Sequence, residues 1–187
     1  MKIIPTEIPE VLEIQPDVYE DSRGYFLESY NKLRFLENSL ETLFVQDNIS
    51  KSGYGTIRGL HYQAGDKAQG KLCQVITGKV LDIAVDIRFG SPTFGKHVAL
   101  ELSEENHTQI WIPPGFAHGF SVLSDQAIFH YKCTEFYSKE HERTIIYNDP
   151  QLKINWGIEN PVISSKDRDG KSFGEMDRDF IYSEMKI

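Results

Sequence analysis

From Leu81 to Arg88 the chain alternates: Leu81, Ile83, Val85 and Ile87 fall on one side of an extended run, with Asp82, Asp86 and Arg88 on the other. Successive side chains of a strand point to opposite faces, so this period of two prescribes a β-strand over Lys79–Arg88 with one buried face. A second extended run, Lys71–Thr77, precedes it across Gly78. Shorter runs of the same kind recur at Val11–Tyr19 (broken by Pro16), Tyr25–Tyr30, Leu43–Ser50, Lys96–Leu102, Thr108–Ile112, Gly119–Leu123 and Ala127–Phe136. Asp21–Gly24 reads as a turn and Lys51–Gly55 as a hairpin-type loop. Helical spacing is confined to Asn31–Asn38, through Leu33, Leu36 and Glu37. Many short strands punctuated by Gly and Pro, with little helix, predict a mainly β fold: a sandwich or double-sheet jelly roll with short flanking helices.

A chain of 187 residues suits a single domain, here 1–187, with the segment from about residue 170 expected at its periphery. The formal net charge of −8 argues against binding nucleic acid or an anionic membrane, since both demand an excess of Lys and Arg. It leaves room for a small anionic ligand, provided cations cluster locally. The N-terminal Met1–Glu7 lacks the apolar core of a signal peptide, so a cytoplasmic location is expected. Cys73 and Cys133 sit in apolar strand-like runs without a Cys-x-x-Cys spacing, which predicts two buried reduced thiols.

The stretch Gly55–Gln63 puts a cation, Arg58, and an imidazole, His61, within one strand's length. Imidazole titrates near neutrality and is the default proton carrier of an enzyme, although a half-buried structural His fits the same residues. In a regular strand positions 58 and 61 face opposite ways, so either Gly59 marks a bulge or the two side chains serve different sites. Gly65–Lys71 has P-loop spacing, but Leu72 stands where the magnesium-binding Ser or Thr belongs, and a strand pattern follows instead of a helix. Gly55 to His61 matches the opening of the first cupin motif and Pro113–His118 the Pro-x-Gly-x-x-His core of the second, in order. Gln63 replaces the second metal-binding His of the first motif, and Lys67 and Ala68 fill the region of its Glu, so no metal is expected. His97, His107 and His141 sit in polar surroundings and read as solvated. His130 faces away from Phe129 and Tyr131 and carries no assigned role. Tyr131 shares its face with Ala127, Phe129 and Cys133, and a hydroxyl so placed needs a partner, structural or functional.

From about Asp21 to Asp167 the chain resembles the dTDP-4-dehydrorhamnose 3,5-epimerase family, a metal-free branch of the cupins. The resemblance rests on Asp21–Glu28, Gln46–Asn48, Ile57–Gln63, Gly70–Lys71, Asp82–Arg88, Ser91–Gly95, Ile112–Phe120 and Ser164–Asp167. It implies inversion of carbons 3 and 5 of dTDP-4-dehydro-6-deoxy-D-glucose, in the supply of dTDP-rhamnose, without a cofactor. It implies His61 as the base, Asp167 as its orienting partner, Tyr131 as the acid on the far face of the sugar, and Lys71 as the cation at the enolate oxygen. His118 would lie in the sugar pocket. Arg23, Glu28, Gln46, Asp47, Asn48, Arg58, Glu142 and Lys166 would contact the nucleotide sugar, with Tyr137 stacked on thymine. The expected partners are the dTDP-linked 4-keto-6-deoxysugar and a second copy in a homodimer. The nearest alternative is a relative inverting only carbon 3 or carbon 5; a metal-dependent cupin oxygenase and a non-catalytic sugar-binding cupin stand further off.

Overall fold

The computed structural model describes residues 1–40 and 42–183. Its strands, in chain order, are β1 (Lys2–Pro5), β2 (Leu12–Gln15), β3 (Val18–Asp21), β4 (Gly24–Leu27), β5 (Gln46–Gly53), β6 (Thr56–Gln63), β7 (Lys71–Thr77), β8 (Lys79–Asp86), β9 (His97–Ser103), β10 (Gln109–Ile112), β11 (Phe116–Val122), β12 (Gln126–Cys133), β13 (Glu142–Thr144) and β14 (Val162–Ile163). Helices α1 (Lys32–Glu37) and α2 (Ser165–Arg168) flank them. One sheet runs β1-β2-β10-β7-β12-β5 and the other β13-β6-β11-β8-β9, with β14 added in parallel to β6; β3 and β4 form a separate hairpin. This is the mainly β, two-sheet architecture the alternating runs predict.

The two long central runs fall in different sheets. Gly78, at φ +81°, carries the chain from one to the other, and a Cβ there would lie 2.1 Å from the Gln126 carbonyl oxygen. Between the sheets, Val75, Ile110, Ile112, Ala127 and Phe129 of one meet Val80, Ala84, Val98, Leu102, Phe116 and Phe120 of the other. A second core lies on the far side of the β6–β11–β8 sheet. There Ile57, Leu60, Ile83, Val85 and Ile87 pack beneath Ile145, Leu152, Trp156 and Phe173. Burial of such side chains supplies the main folding force, at about 1.5–3 kcal/mol each.

The sequence placed Asp82 and Asp86 on a solvent face of β8; both are fully buried. The alternation was real, but the Ile83–Ile87 face is covered by the C-terminal segment, while the aspartate face looks between the sheets. Each buried carboxylate has its own partners, as burial of charge requires. Asp86 accepts from Arg88 Nη2 at 2.8 Å and from the hydroxyls of Ser91 and Thr93, both at 2.6 Å. The segment after Gly170, expected at the periphery, brings Phe173, Met176 and Phe180 into the second core. It is fastened by Phe89 N–H to the Phe180 carbonyl at 2.8 Å and by Tyr62 Oη to Asp179 at 3.1 Å. Helix α1 forms where its spacing indicated, capped by Asn31 Oδ1 accepting from Leu33 N–H at 3.0 Å. Its buried side chain is Phe35, against Ile14, Leu72 and Trp111; Leu33 and Leu36 are exposed.

Candidate active site

Strand β6 pairs with β11 so that His61 lies opposite His118, and Arg58 opposite Phe120. Two residues of β6, Gly59 and Leu60, thus face one of β11, and the register slips. Gly59 takes φ +132°, open to glycine alone, and a Cβ there would stand 2.5 Å from the Gly119 Cα and 2.8 Å from the His118 carbonyl oxygen. The bulge settles the conflict between positions 58 and 61: both side chains line one cavity of about 230 Å³. Lys71, His118, Phe120, Phe129, Tyr131, Glu142, Lys166 and Ser50 complete its wall.

On one side His61 Nε2 meets Asp167 Oδ1 at 2.5 Å. Asp167 belongs to α2, whose cap Ser164 accepts from the Asp167 N–H at 3.1 Å, so a single turn fixes the carboxylate against the ring. Burial pushes the Asp167 carboxyl up, but the His61 hydrogen bond and charge, with smaller help from Gly59 N–H and Ser164, outweigh it. The net result lies below the ordinary carboxylate value, so Asp167 is an anion at neutral pH.

Tyr131, opposite Asn48 on β5 and Cys73 on β7, stands on the other sheet. Its phenol is pushed up to about 12, first of all by burial. It therefore holds its proton throughout the neutral range. Among the described residues its Oη makes no hydrogen bond to protein, so no structural bond accounts for it. Lys71 Nζ lies 5.9 Å from the centre of the Tyr131 ring. His118 Nε2 bonds Asp82 at 2.9 Å, and burial holds this imidazole below its ordinary value against the pull of Asp82.

The other sequence-predicted residues divide. Glu142, paired with Lys166, accepts from Tyr137 Oη at 3.2 Å, and Tyr137 N–H donates to Gln46 Oε1 at 2.9 Å. Gln46 in turn donates to Asn48 at 3.0 Å, so these five form a linked rim beside the cavity. Asp47 does not belong to it. Alternation along β5 turns its side chain to the outer face, where Lys132 holds it at 2.8 Å. Arg23 and Glu28 do not line the cavity either. Arg23, on the exposed β3–β4 hairpin, pairs with Asp21, and Glu28 pairs with Arg34 at 3.3 Å.

Sequence reading missed Asp82, Ser50 and the stacked rings Phe120 and Phe129, whose centres are 4.2 Å apart. Ser50 shares the period-two row of Gln46 and Asn48, a signal that could have found it. Among the described residues, Cys73, Asp82 and His118 are the grouping of three metal-ligating types, within 4.8 Å of one another. The donor set suits a metal poorly: His118 Nε2 is engaged by Asp82, and burial keeps Cys73 a neutral thiol. Gln63 is committed to backbone partners, donating to the carbonyls of Lys67 at 2.7 Å and Phe136 at 3.1 Å.

Residues 5–175 match the family model described as dTDP-4-dehydrorhamnose 3,5-epimerase. The chain belongs to that family. It is 53% identical over 178 residues to the dTDP-4-dehydrorhamnose 3,5-epimerase of Shigella flexneri, covering 95% of this chain and 98% of that one. It is 52% identical to the Pseudomonas aeruginosa epimerase, with the same coverage. The crystal structure of the Legionella pneumophila dTDP-6-deoxy-D-glucose-3,5-epimerase, in complex with dTDP-4-keto-L-rhamnose, superposes with a TM-score of 0.94 at 49% identity, covering 97% and 98% of the two chains. Membership in this epimerase family covers both walls of the cavity and the C-terminal layer as far as Glu175.

Proposed function

We propose that the chain inverts carbons 3 and 5 of dTDP-4-dehydro-6-deoxy-D-glucose to give dTDP-4-dehydro-L-rhamnose, as a step toward dTDP-rhamnose. The observation that carries this reading is one cavity walled by an Asp167-paired imidazole from one sheet and a protonated phenol from the other. Both carbons are α to the C4 carbonyl, so loss of either proton gives an enolate. His61 takes that proton, and Asp167 holds the ring and stabilises the imidazolium that forms. The Lys71 ammonium stabilises charge developing on the carbonyl oxygen, without which imidazole is too weak a base for the task. Tyr131 returns a proton from the opposite face, which inverts the carbon. Neither oxidant nor metal enters the balance.

Arg58 and Lys166, exposed at the mouth, suit the diphosphate, and Tyr137 with Gln46 and Asn48 offers a platform for the thymidine. Arg23 and Glu28 join the ligand contacts if the β3–β4 hairpin, with its exposed Tyr19, Tyr25 and Phe26, reaches the cavity of a second copy in a homodimer. Half of all residues shared with double epimerases over nearly the whole chain favours two inversions over one. Incubation with dTDP-4-dehydro-6-deoxyglucose, a rhamnose-forming reductase and EDTA should consume the reductase's NADPH. Absence of turnover, or turnover restored only by added metal, counts against the proposal.

A further inference from the structure

The inward row of β5 is Gln46, Asn48, Ser50 and Ser52, and its members are bonded within the protein except one. Gln46 donates to Asn48, Asn48 donates to Cys133 Sγ at 3.5 Å, and Ser52 Oγ accepts from Arg58 Nε at 3.0 Å. Ser50 Oγ is buried and, among the described residues, has no hydrogen-bond partner. A buried hydroxyl left unpaired costs about 1–3 kcal/mol, so such an atom marks a place where a partner is expected from outside the chain. Ser50 lines the cavity that holds His61 and Tyr131, and pairs in register with Phe129.

Resting on the epimerase reading, we infer that Ser50 Oγ hydrogen-bonds a hydroxyl of the substrate's sugar ring and selects for it. The sugar is favoured over the diphosphate by depth and charge. Arg58 and Lys166 are exposed at the mouth, where a dianion keeps both its cations and its water. Ser50 Oγ instead lies at the floor, beside Phe120 and Phe129, which are 5% and 1% exposed. A neutral ring enters such a floor at far lower desolvation cost than a phosphate does. Its hydroxyls then need partners, and Ser50 supplies one that both donates and accepts.

The test compares wild type with Ser50→Ala by calorimetric titration of two probes, dTDP-glucose and dTDP, while wild-type turnover of the ketosugar nucleotide decides the epimerase reading separately. Loss of one neutral hydrogen bond should weaken dTDP-glucose binding by about 3- to 10-fold. Binding of dTDP should stay unchanged, which also reports that the variant is folded. Equal weakening of both probes, or of neither, overturns the assignment, the first because the contact is then not to the sugar and the second because Ser50 then meets no ligand.

Discussion

At the scale of single residues, His61 and Tyr131 face one cavity from opposite sheets, so their roles can be separated by isotope. In deuterated water Tyr131→Phe should exchange the sugar's α-hydrogens while giving little inverted product, because His61 still forms the enolate and returns a deuteron to the original face. His61→Asn should do neither. Exchange by His61→Asn, or none by Tyr131→Phe, would break the two-residue scheme. The same cavity makes a claim about pH. Burial, opposed by Asp82, holds His118 below the ordinary imidazole value of 6.5. In the unfolded chain this ring takes its proton near 6.5, whereas in the native fold it does so only at lower pH. Its contribution to stability is therefore full above 6.5 and is lost as pH falls through the folded value. His97 and His130 shift the same way, so the measurement must be differential: urea melts should lose less stability between about pH 7 and about pH 5 in His118→Gln than in wild type. Equal slopes would assign the loss elsewhere. His61, Lys71 and Tyr131 were legible as residues of the cavity, the first two from motifs that survive without coordinates and Tyr131 from its strand face and the resemblance. Asp82 and Ser50 were not, because their meaning depends on what the opposite sheet presents to them.

At the scale of elements, the device that matters most is the bulge in β6. Without it, Arg58 and His61 would project from opposite faces of one strand. Gly59→Ala would force a side chain to φ +132° and drive its Cβ to 2.5 Å from the Gly119 backbone. The backbone strain alone should cost on the order of 1–3 kcal/mol. If the strand relieves it by straightening, His61 turns from Asp167 and kcat falls while the nucleotide still binds. A variant as stable and active as wild type would show that the bulge is dispensable. The sequence named the two outcomes at Gly59 but could not choose between them, since a bulge is defined by the partner strand's register. The longer strands were readable to within a few residues, whereas the short β1, β13 and β14 were not read at all. At β11 the miss was instructive: the strand was read from Gly119, just past the Pro113–His118 motif, whereas β11 begins at Phe116 and takes His118 into the sheet. Which strands share a sheet was not readable, because β7 and β8 are neighbours in sequence and belong to opposite walls.

At the scale of the whole molecule, the protein is a stack of three layers: a sheet backed by α1, the His61-bearing sheet, and a cover made of residues after Ile145. The middle sheet serves two interiors at once. Ile83 and Val85 of β8 hold the cover, while Asp82 and Ala84 face the space that opens into the cavity. Composition hinted at none of this. An acidic chain with one alternating strand looks the same whether its polar face meets water or a second wall. Strand β5, by contrast, is an edge strand whose outward residues Asp47, Ile49 and Lys51 are exposed. Random substitution should therefore leave two different imprints. Across β5, neutral and damaging positions should alternate, so that this strand drifts on one face and stays fixed on the other. Across Asp82–Asp86 of β8, survivors of a saturation screen should be scarce at every position, and the rhythm that first betrays the strand in the sequence would be missing from its record of tolerated change.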